Sequence, residues 1–551
     1  MFQKKFLLKV VIPTVVLIGA SQNLLAQSGA VSTACNPYAQ YDCLDDYLGQ
    51  GFWERLVRYY RLEQGHEVAP ADPAAPPSRR ADFTPAAQTI PPMPFSEWPY
   101  GGTPSLGASL PNYVDSPLMV ALAPTSFGQW MATNNIQTYG WVDVGANLST
   151  NHVHGGNAPA AYDYNPNALD LNQIVQYIER VPDMVQTDHT DWGFRFSAIY
   201  GSDYRYTTSY GLGSDQLLKQ NASNGWDLPM LYVDWYTPFV GKGLNVRVGR
   251  YISVPDIEAQ LAPNNYMYSH SMTYTFDNYT NEGVIASYAS DLNWIWQAGL
   301  TVGTEATFNH AYETTSNPYP NNPSLGQYNP LYPGSRFRVD PGANPAVTLC
   351  GRYNSDEGKT DLNFCANGIN SGTYGYNNLQ WYGVTFYHQL NDQWHVAAEL
   401  YNEHQNHVPN ALNSTVQTIY AHNGSPFASQ FMPYNAPNLA QCANGSVLTC
   451  TASATGLNAY FNYSPTPMDN FSIRPEIYWD PQGQRTGTAT TYRNLAFGWQ
   501  HWVSPQIEFR PEIAYYHAGA AAFNGNPNAN PVIPASKTSQ TILAGDVIFH
   551  W

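Results

Sequence analysis

The chain has 551 residues, of which 14% are aromatic and only 12% are charged, and its formal net charge is −17. Average soluble domains carry about 25% charged residues, and nucleic-acid-binding domains are normally basic. The composition therefore excludes a nucleic-acid partner and disfavours a soluble helical enzyme.

Residues 1–27 have the pattern of a secretory signal peptide. Three lysines within the first nine residues precede an apolar stretch at 10–17, and small and polar residues follow. The apolar stretch is too short to cross a bilayer of about 30 Å, which needs roughly 20 residues. No later stretch of about 18 apolar residues follows, so a membrane location requires a closed β-barrel.

Residues 28–130 are predicted to form a periplasmic extension ahead of the barrel. Residues 52–64, F-W-E-R-L-V-R-Y-Y-R-L-E-Q, predict a short amphipathic helix that ends before Gly65. The helix could pack on the barrel mouth or lie on a membrane surface. Residues 68–100 are rich in Pro and Ala, which predicts an extended tether without a core.

Residues 131–551 are predicted to form an all-β domain, a transmembrane antiparallel up-and-down barrel of about 14 strands, within a range of 12–16. Alternating apolar and polar residues between turn signals indicate the strands. The predicted strands are 136–148, 190–200, 228–238, 244–253, 271–279, 282–290, 294–306, 377–390, 393–404, 455–463, 471–480, 491–503, 506–517 and 540–551.

The last strand has one apolar face that ends on an aromatic residue. Leu543, Val547, Phe549 and Trp551 share that face, and Asp546 lies on the other. This arrangement resembles the sorting signal by which barrel assembly machinery recognises outer-membrane proteins. It predicts an outer-membrane address, with the apolar face against lipid.

Charged residues along the predicted strands alternate with apolar neighbours. An arginine on the lipid face near the midplane would cost roughly 2–4 kcal/mol, so these side chains must point inward. We expect Arg247, Arg474 and Arg510 to face Glu399, Glu476 and Glu512 across a water-filled pore; a charge network that plugs a narrow lumen is the alternative. The pore-lining candidates are Arg195, Arg247, Glu399, Arg474, Glu476, Arg510, Glu512 and Asp546.

The six cysteines form three close pairs in sequence: Cys35 and Cys43, Cys350 and Cys365, and Cys442 and Cys450. An even number in an exported chain predicts disulfides. Each pair falls in a predicted loop or in the extension. The spacing lacks C-x-x-C and a clustered His partner, which disfavours zinc, and we expect no metal or cofactor.

The stretch that begins V-P-D-I-E-A-Q-L-A-P-N-N-Y at Val254 resembles the signature region of the OmpL-like family of β-barrel porins. The preceding G-L-N-V-R-V-G-R-Y, the following W-Q-A-G-L-T-V-G-T-E and the late R-P-E-I repeats are also similar to that family. The resemblance covers roughly 137–551. It implies an outer-membrane barrel that acts as a diffusion channel.

We expect a porin, with outer-membrane lipid and small hydrophilic solutes as partners; homo-oligomerisation is left open. Enzyme motifs such as G-x-S-x-G or H-E-x-x-H are absent from the sequence, and the His152/His154 and His404/His407 pairs are interpreted as surface histidines. Two alternatives stay open. One is a structural or adhesive barrel that acts through external loops 309–376 and 405–454, and the other is a barrel hydrolase.

Overall fold

The protein is described by a computed structural model in which the chain divides after Asp82 into two compact units. The structure describes residues 44–63 of the first unit and most of 116–551 of the second. The gaps in the second are 161, 185, 208, 210–222, 253–254, 279, 305, 309–312, 315–337, 341–344, 357–358, 371–378, 392, 418–438, 467, 505, 527–528 and 530. The predicted signal peptide and the Pro-rich tether lie outside the described residues.

The first unit contains helices α1 (Leu44–Leu48) and α2 (Phe52–Glu63). Helix α2 is the predicted amphipathic helix, and Tyr59 and Leu62 are buried on its apolar face. The Arg55 guanidinium bonds back to α1 through Asp45 Oδ1 at 2.7 Å. Among the described residues, no helix is long and apolar enough to span a bilayer.

In the described part of the second unit, two short helices precede the strands, α3 (Pro117–Leu122) and α4 (Ser126–Thr133). Ser116 caps α3, since its hydroxyl accepts from the Met119 N–H at 3.0 Å. The same hydroxyl donates to the Thr138 carbonyl at 2.8 Å. This bond ties the start of the helix pair to the first barrel strand.

Sixteen of the described strands form a closed antiparallel barrel, and two short ones, β8 and β9, pair only with each other. The first nine strands are β1 (Gln137–Ser149), β2 (Leu169–Arg180), β3 (Asp191–Gly201), β4 (Gly225–Thr237), β5 (Leu244–Ile252), β6 (Thr280–Ala289), β7 (Trp294–Thr304), β8 (Glu313–Thr314) and β9 (Arg338–Asp340). The others are β10 (Ala346–Asn354), β11 (Thr360–Ile369), β12 (Gln380–Gln389), β13 (Trp394–Pro409), β14 (Thr449–Thr466), β15 (Asp469–Asp480), β16 (Thr490–Ser504), β17 (Ile507–Ala518) and β18 (Ser539–His550).

Each barrel strand pairs with its neighbour in the chain, β7 pairs with β10, and β1 pairs with β18 to close the ring. Backbone groups in a lipid core have no water to bond, so a sheet there must have no free edge. Closure extends to the chain terminus, where the Trp551 N–H donates to the Gly140 carbonyl at 2.9 Å. The Trp551 indole also donates to Gln176 Oε1 at 3.0 Å.

The connections between strands are long at one end of the barrel and short at the other. We call these the long-loop end and the short-turn end. The connections 150–168, 202–224, 305–345, 410–448 and 519–538 lie at the long-loop end. The connections 238–243, 290–293, 390–393, 467–468 and 505–506 lie at the short-turn end.

The outer surface of the barrel is apolar and the inner surface is polar. On β15, Ile473, Ile477 and Trp479 are about half exposed to the outside. Arg474 and Glu476 alternate with them and are buried inside. This is the side-chain period of a strand between lipid and a polar interior.

The sequence predicts 14 strands, whereas the barrel has 16, the upper limit of the predicted range. The prediction missed β2, β10 and β11, because the long runs of polar and small residues around them are typical of loops. The predicted strand 271–279 is wrong, since Met272–Thr275 is a short helix, α5, inside the barrel. Polar and apolar residues alternate in 271–279 because their side chains pack against several barrel strands, not because the backbone pairs with two neighbouring strands.

The structure contains two of the predicted disulfides. Cys442–Cys450 joins the connection 410–448 to β14. Cys350–Cys365 is not in an external loop as expected, because the two residues lie opposite each other on β10 and β11 and are buried. The Cys35–Cys43 pair lies outside the described residues.

Removal of the terminal aromatic side chains is expected to impair barrel assembly. The change Phe549→Ser with Trp551→Ser should leave the chain exported but poorly inserted, because β18 loses its interfacial anchor beside β1. The measurement is the fraction of heat-modifiable barrel in the outer membrane. Trp394→Ser, an outward aromatic at the same short-turn end, is the control and should insert normally. Normal insertion of the double variant would contradict the role of Trp551.

The disulfides are expected to be dispensable for barrel closure. Backbone pairing to β7 and β12 already holds β10 and β11 on both sides, so Cys350→Ser with Cys365→Ser should still give a heat-modifiable barrel. Mass mapping of unreduced peptides should recover Cys350–Cys365 and Cys442–Cys450. Linkages between the pairs, or free thiols throughout, would contradict this pairing.

Candidate functional site in the barrel lumen

The long connection between β5 and β6 packs against the inner wall of the barrel. Residues 255–278, which we call the inner segment, are buried almost throughout. The segment contains a 3-10 turn, Ala262–Asn264, and helix α5. It includes most of the stretch that carries the resemblance to the porin family.

The inner segment crosses the lumen from one wall to the other. The Ala262 N–H donates to Gln173 Oε1 on β2 at 3.1 Å, and the Ile257 N–H donates to Glu399 Oε2 on β13 at 3.3 Å. Strands β2 and β13 lie on opposite sides of the ring. A segment that reaches both must lie inside the barrel.

Arg474 on β15 is the main anchor of the inner segment. Its Nη1 donates to Glu258 Oε1 at 3.0 Å and to the Ser269 carbonyl at 2.6 Å. The hydroxyl of Tyr460 on β14 lies 3.2 Å from the same nitrogen. Because Arg474 and Glu258 are both nearly fully buried, breaking the pair would leave an uncompensated charge.

Two wall carboxylates receive backbone N–H groups of the inner segment. Glu476 accepts from the Thr273 N–H and from its hydroxyl at 2.7 Å. Glu512 on β17 accepts from the Ser269 N–H at 2.9 Å. Hydrogen bonds to a charged acceptor are stronger than neutral ones, so these contacts hold the segment against β15 and β17.

Arg510 on β17 links a neighbouring strand to the inner segment. Its Nε donates to Asp546 Oδ1 on β18 at 3.0 Å. Its Nη1 donates to the carbonyls of Ala262 and Asn265, the latter at 3.1 Å. The guanidinium therefore caps carbonyl groups around the 3-10 turn while its charge is balanced by Asp546.

Two further arginines pair within the wall. Arg195 on β3 donates to Glu179 on β2 at 2.6 Å. Arg247 on β5 forms two bonds of 2.9 Å to Asp234 on β4, and its guanidinium lies 3.6 Å from the Tyr232 ring centroid. These pairs line the side of the barrel formed by β2–β5.

Inward-facing glycines make room for the inner segment. A Cβ on Gly145 of β1 would lie 2.4 Å from the Tyr268 ring, and one on Gly456 of β14 would lie 2.7 Å from the Thr273 side chain. Such distances are too short for a methyl group. The wall and the segment are therefore fitted to each other at close range.

The structure places all eight pore-lining candidates on the inner face. Their partners differ from the expectation, because Arg247, Arg474 and Arg510 do not bind Glu399, Glu476 and Glu512. The three arginines instead pair with carboxylates on adjacent strands or on the inner segment.

Of the carboxylates that pair with the arginines, sequence reasoning named Asp546, the partner of Arg510. It missed Glu179, Asp234 and Glu258. Asp234 and Glu179 could have been predicted from the sequence, since each lies at an inward position in the alternating pattern of its strand. Glu258 lies outside the strands, in the stretch that resembles the porin family. Its role follows from the folding of the inner segment into the lumen, which strand parity does not reveal.

Comparison with known families agrees with this architecture. Residues 135–551 match the family described as "Putative beta-barrel porin-2, OmpL-like" (BBP2). The chain belongs to this porin family. The matched residues include the whole barrel and the inner segment, so the resemblance inferred from the sequence is confirmed. No match is found among curated proteins.

Several solved structures of outer-membrane proteins and porins have similar folds at low identity. The channel DcaP of Acinetobacter baumannii is 9% identical, with a TM-score of 0.41, over 76% of this chain and 97% of that chain. The anion-selective porin from Comamonas acidovorans is 8% identical, with a TM-score of 0.43, over 76% and 99%. OmpT of Vibrio cholerae is 8% identical, with a TM-score of 0.38, over 76% and 97%. Likenesses at these scores carry no argument about the solute or the assembly of this chain.

The Arg474–Glu258 pair is expected to stabilise the folded lumen cooperatively. Arg474→Gln should lower the free energy of unfolding by about 3–5 kcal/mol, because Glu258 stays buried without its cation. The double change Arg474→Gln with Glu258→Gln should cost less than the sum of the single changes. Urea unfolding of the refolded barrel, followed by tryptophan fluorescence, measures both.

Arg493→Gln is the matched control, since Arg493 is an exposed arginine on the neighbouring strand β16. It should change the free energy of unfolding by no more than about 0.5 kcal/mol. Strictly additive effects of the Arg474 and Glu258 changes would contradict the coupling.

Proposed function

We propose that the protein is a passive diffusion channel of the outer membrane for small hydrophilic solutes, in which the inner segment sets the width of the passage. Membership of the β-barrel porin family supports the channel and its membrane. The role of the inner segment is supported by its position, because the segment crosses the lumen and is hydrogen-bonded to both walls.

The chemistry of the inner wall favours polar solutes. Positively charged arginines and negatively charged carboxylates line it, together with the hydroxyls of many tyrosines. Opposed charges in a confined space create a field across the passage, which favours small polar molecules over bulky apolar ones. The apolar outer belt faces lipid and takes no part in passage.

The inner segment narrows the passage. The inward side chains of β13–β17 are buried where they meet it. On the opposite side, its Leu261 and Ala262 pack with the buried side chains of Val175 on β2, Ile199 on β3 and Tyr232 on β4. We therefore expect a small conductance and a steep dependence on solute size.

The orientation follows from connection length. In bacterial barrels the short turns face the periplasm and the long loops face outside. The short-turn end here contains Trp551 and helices α3 and α4, which lie at the end of the predicted extension. We propose that residues 28–130 lie in the periplasm and that the long-loop end faces the medium.

Replacement of residues 262–272 by a Gly-Ser stretch of equal length should raise the single-channel conductance several-fold. The change removes the part of the inner segment that Arg474, Arg510 and Glu512 hold in the lumen. The measurement is the current step of refolded barrel in a planar bilayer. Heat-modifiability first establishes that the variant is folded.

The matched control is an equal Gly-Ser replacement at 525–535, in a connection at the long-loop end whose described side chains are not buried. It should leave the current step unchanged. Equal current steps for wild type and the 262–272 variant would show that the inner segment does not set the width of the passage. A folded wild-type barrel that gives no steps, in contrast, would overturn the channel itself and favour the adhesive or hydrolytic alternatives.

A further inference from the structure

Three carboxylates converge where both ends of the inner segment meet the barrel wall. Asp256 lies near the start of the segment, Asp277 near its end, and Glu399 on β13. One carboxylate oxygen from each residue lies within 4.8 Å of the others. All three side chains are buried, at no more than 3% exposure. We call this group the carboxylate cluster.

The cluster has coordinating capacity that the protein leaves unused. Asp256 Oδ1 and Glu399 Oε1 are buried and accept no hydrogen bond. The protein donor to Glu399 is the Ile257 N–H, 3.3 Å from Oε2. Buried polar atoms are nearly always satisfied, so two bare carboxylate oxygens in one cluster indicate a missing positive partner.

The described arginines do not supply that partner. Asp256 and Glu399 form no ion pair with arginine or lysine in the part of the chain that the structure describes. Arg485, the neighbouring cation, donates to the carbonyls of Phe276 at 2.8 Å and Asp277 at 2.9 Å. Its Nε lies 3.3 Å from Glu403 Oε2, so its charge is shared with a fourth carboxylate.

We propose that the carboxylate cluster binds a divalent cation, Ca²⁺, which clips both ends of the inner segment to β13. Calcium takes carboxylate and carbonyl oxygens at about 2.3–2.6 Å. Two oxygens on opposite sides of such an ion are separated by about 4.6–5.2 Å, so carboxylate oxygens within 4.8 Å of one another can share one ion. Three carboxylates supply up to six oxygens in flexible geometry, as calcium accepts, whereas magnesium demands near-ideal octahedral geometry and retains water.

The ion would act on the inner segment and not on the barrel. Glu258, Ser269 and Thr273 already hold the middle of the segment against β15 and β17. The cluster holds its two ends, which leave β5 and enter β6. Loss of the ion would leave like charges in close contact, so the ends of the segment would loosen first.

The test is calcium binding by the full-length barrel refolded in detergent free of lipopolysaccharide. Protein stripped with EDTA is dialysed against radioactive Ca²⁺, and bound ion is counted per chain. Wild type should bind about one equivalent more than Glu399→Gln. Ca²⁺ should also raise the thermal unfolding midpoint of stripped wild type, a measurement that requires no variant.

Glu512→Gln is the matched control, because Glu512 is a buried wall glutamate that also holds the inner segment but lies outside the cluster. It should bind as much Ca²⁺ as wild type. Asp256→Asn serves as a second cluster variant if Glu399→Gln does not fold.

Equal binding by wild type and the cluster variants, or no effect of Ca²⁺ on wild-type unfolding, would overturn the site. Either result would indicate that the carboxylic acids share protons instead. Binding does not depend on conductance, so this outcome is independent of the proposed channel.

Discussion

The backbone of a chain in lipid must satisfy its own hydrogen bonds, and this constraint shapes the whole barrel domain. An open sheet would expose two edges to hydrocarbon, where each unpaired N–H or carbonyl costs several kcal/mol. Pairing of β1 with β18 removes both edges. Closure then gives every strand one lipid face and one inner face, and charged residues in the middle of the strands, such as Arg474 and Arg510, are directed to the lumen.

Once charges are confined to the lumen, they need partners, and the chain provides two kinds. On the β2–β5 side, arginines bind carboxylates of adjacent strands, as Arg247 does with Asp234. On the β13–β17 side, the wall residues bind the inner segment, as Arg474 does with Glu258. Because of this second kind of pairing, the long connection between β5 and β6 lies inside the barrel. The lumen of the barrel is in this way partly filled by the protein's own chain.

The inner segment carries three carboxylates that meet different surroundings. Glu258 has Arg474, two hydroxyl groups and an amide around it. Asp256 and Asp277 lie with Glu399 instead, and Arg485 reaches the backbone beside them but not the bare oxygens. Glu258 is neutralised by Arg474, whereas Asp256 and Glu399 each have a buried oxygen that accepts no hydrogen bond. This contrast is the reason to assign a cation to the carboxylate cluster.

The sequence by itself determined the barrel, the inward charges and the closing strand, since all three follow from a period of two along a strand. Arg474, Glu476 and Asp546 could be assigned to the inner face because the opposite face would meet lipid. Strands β2, β10 and β11 escaped detection, as their polar inner faces and long polar flanks resemble loops. Tertiary structure alone decided which charges pair, because Glu258 and Asp256 reach Arg474 and Glu399 only when residues 255–278 fold inward. No local pattern encodes contacts between residues so distant in the chain.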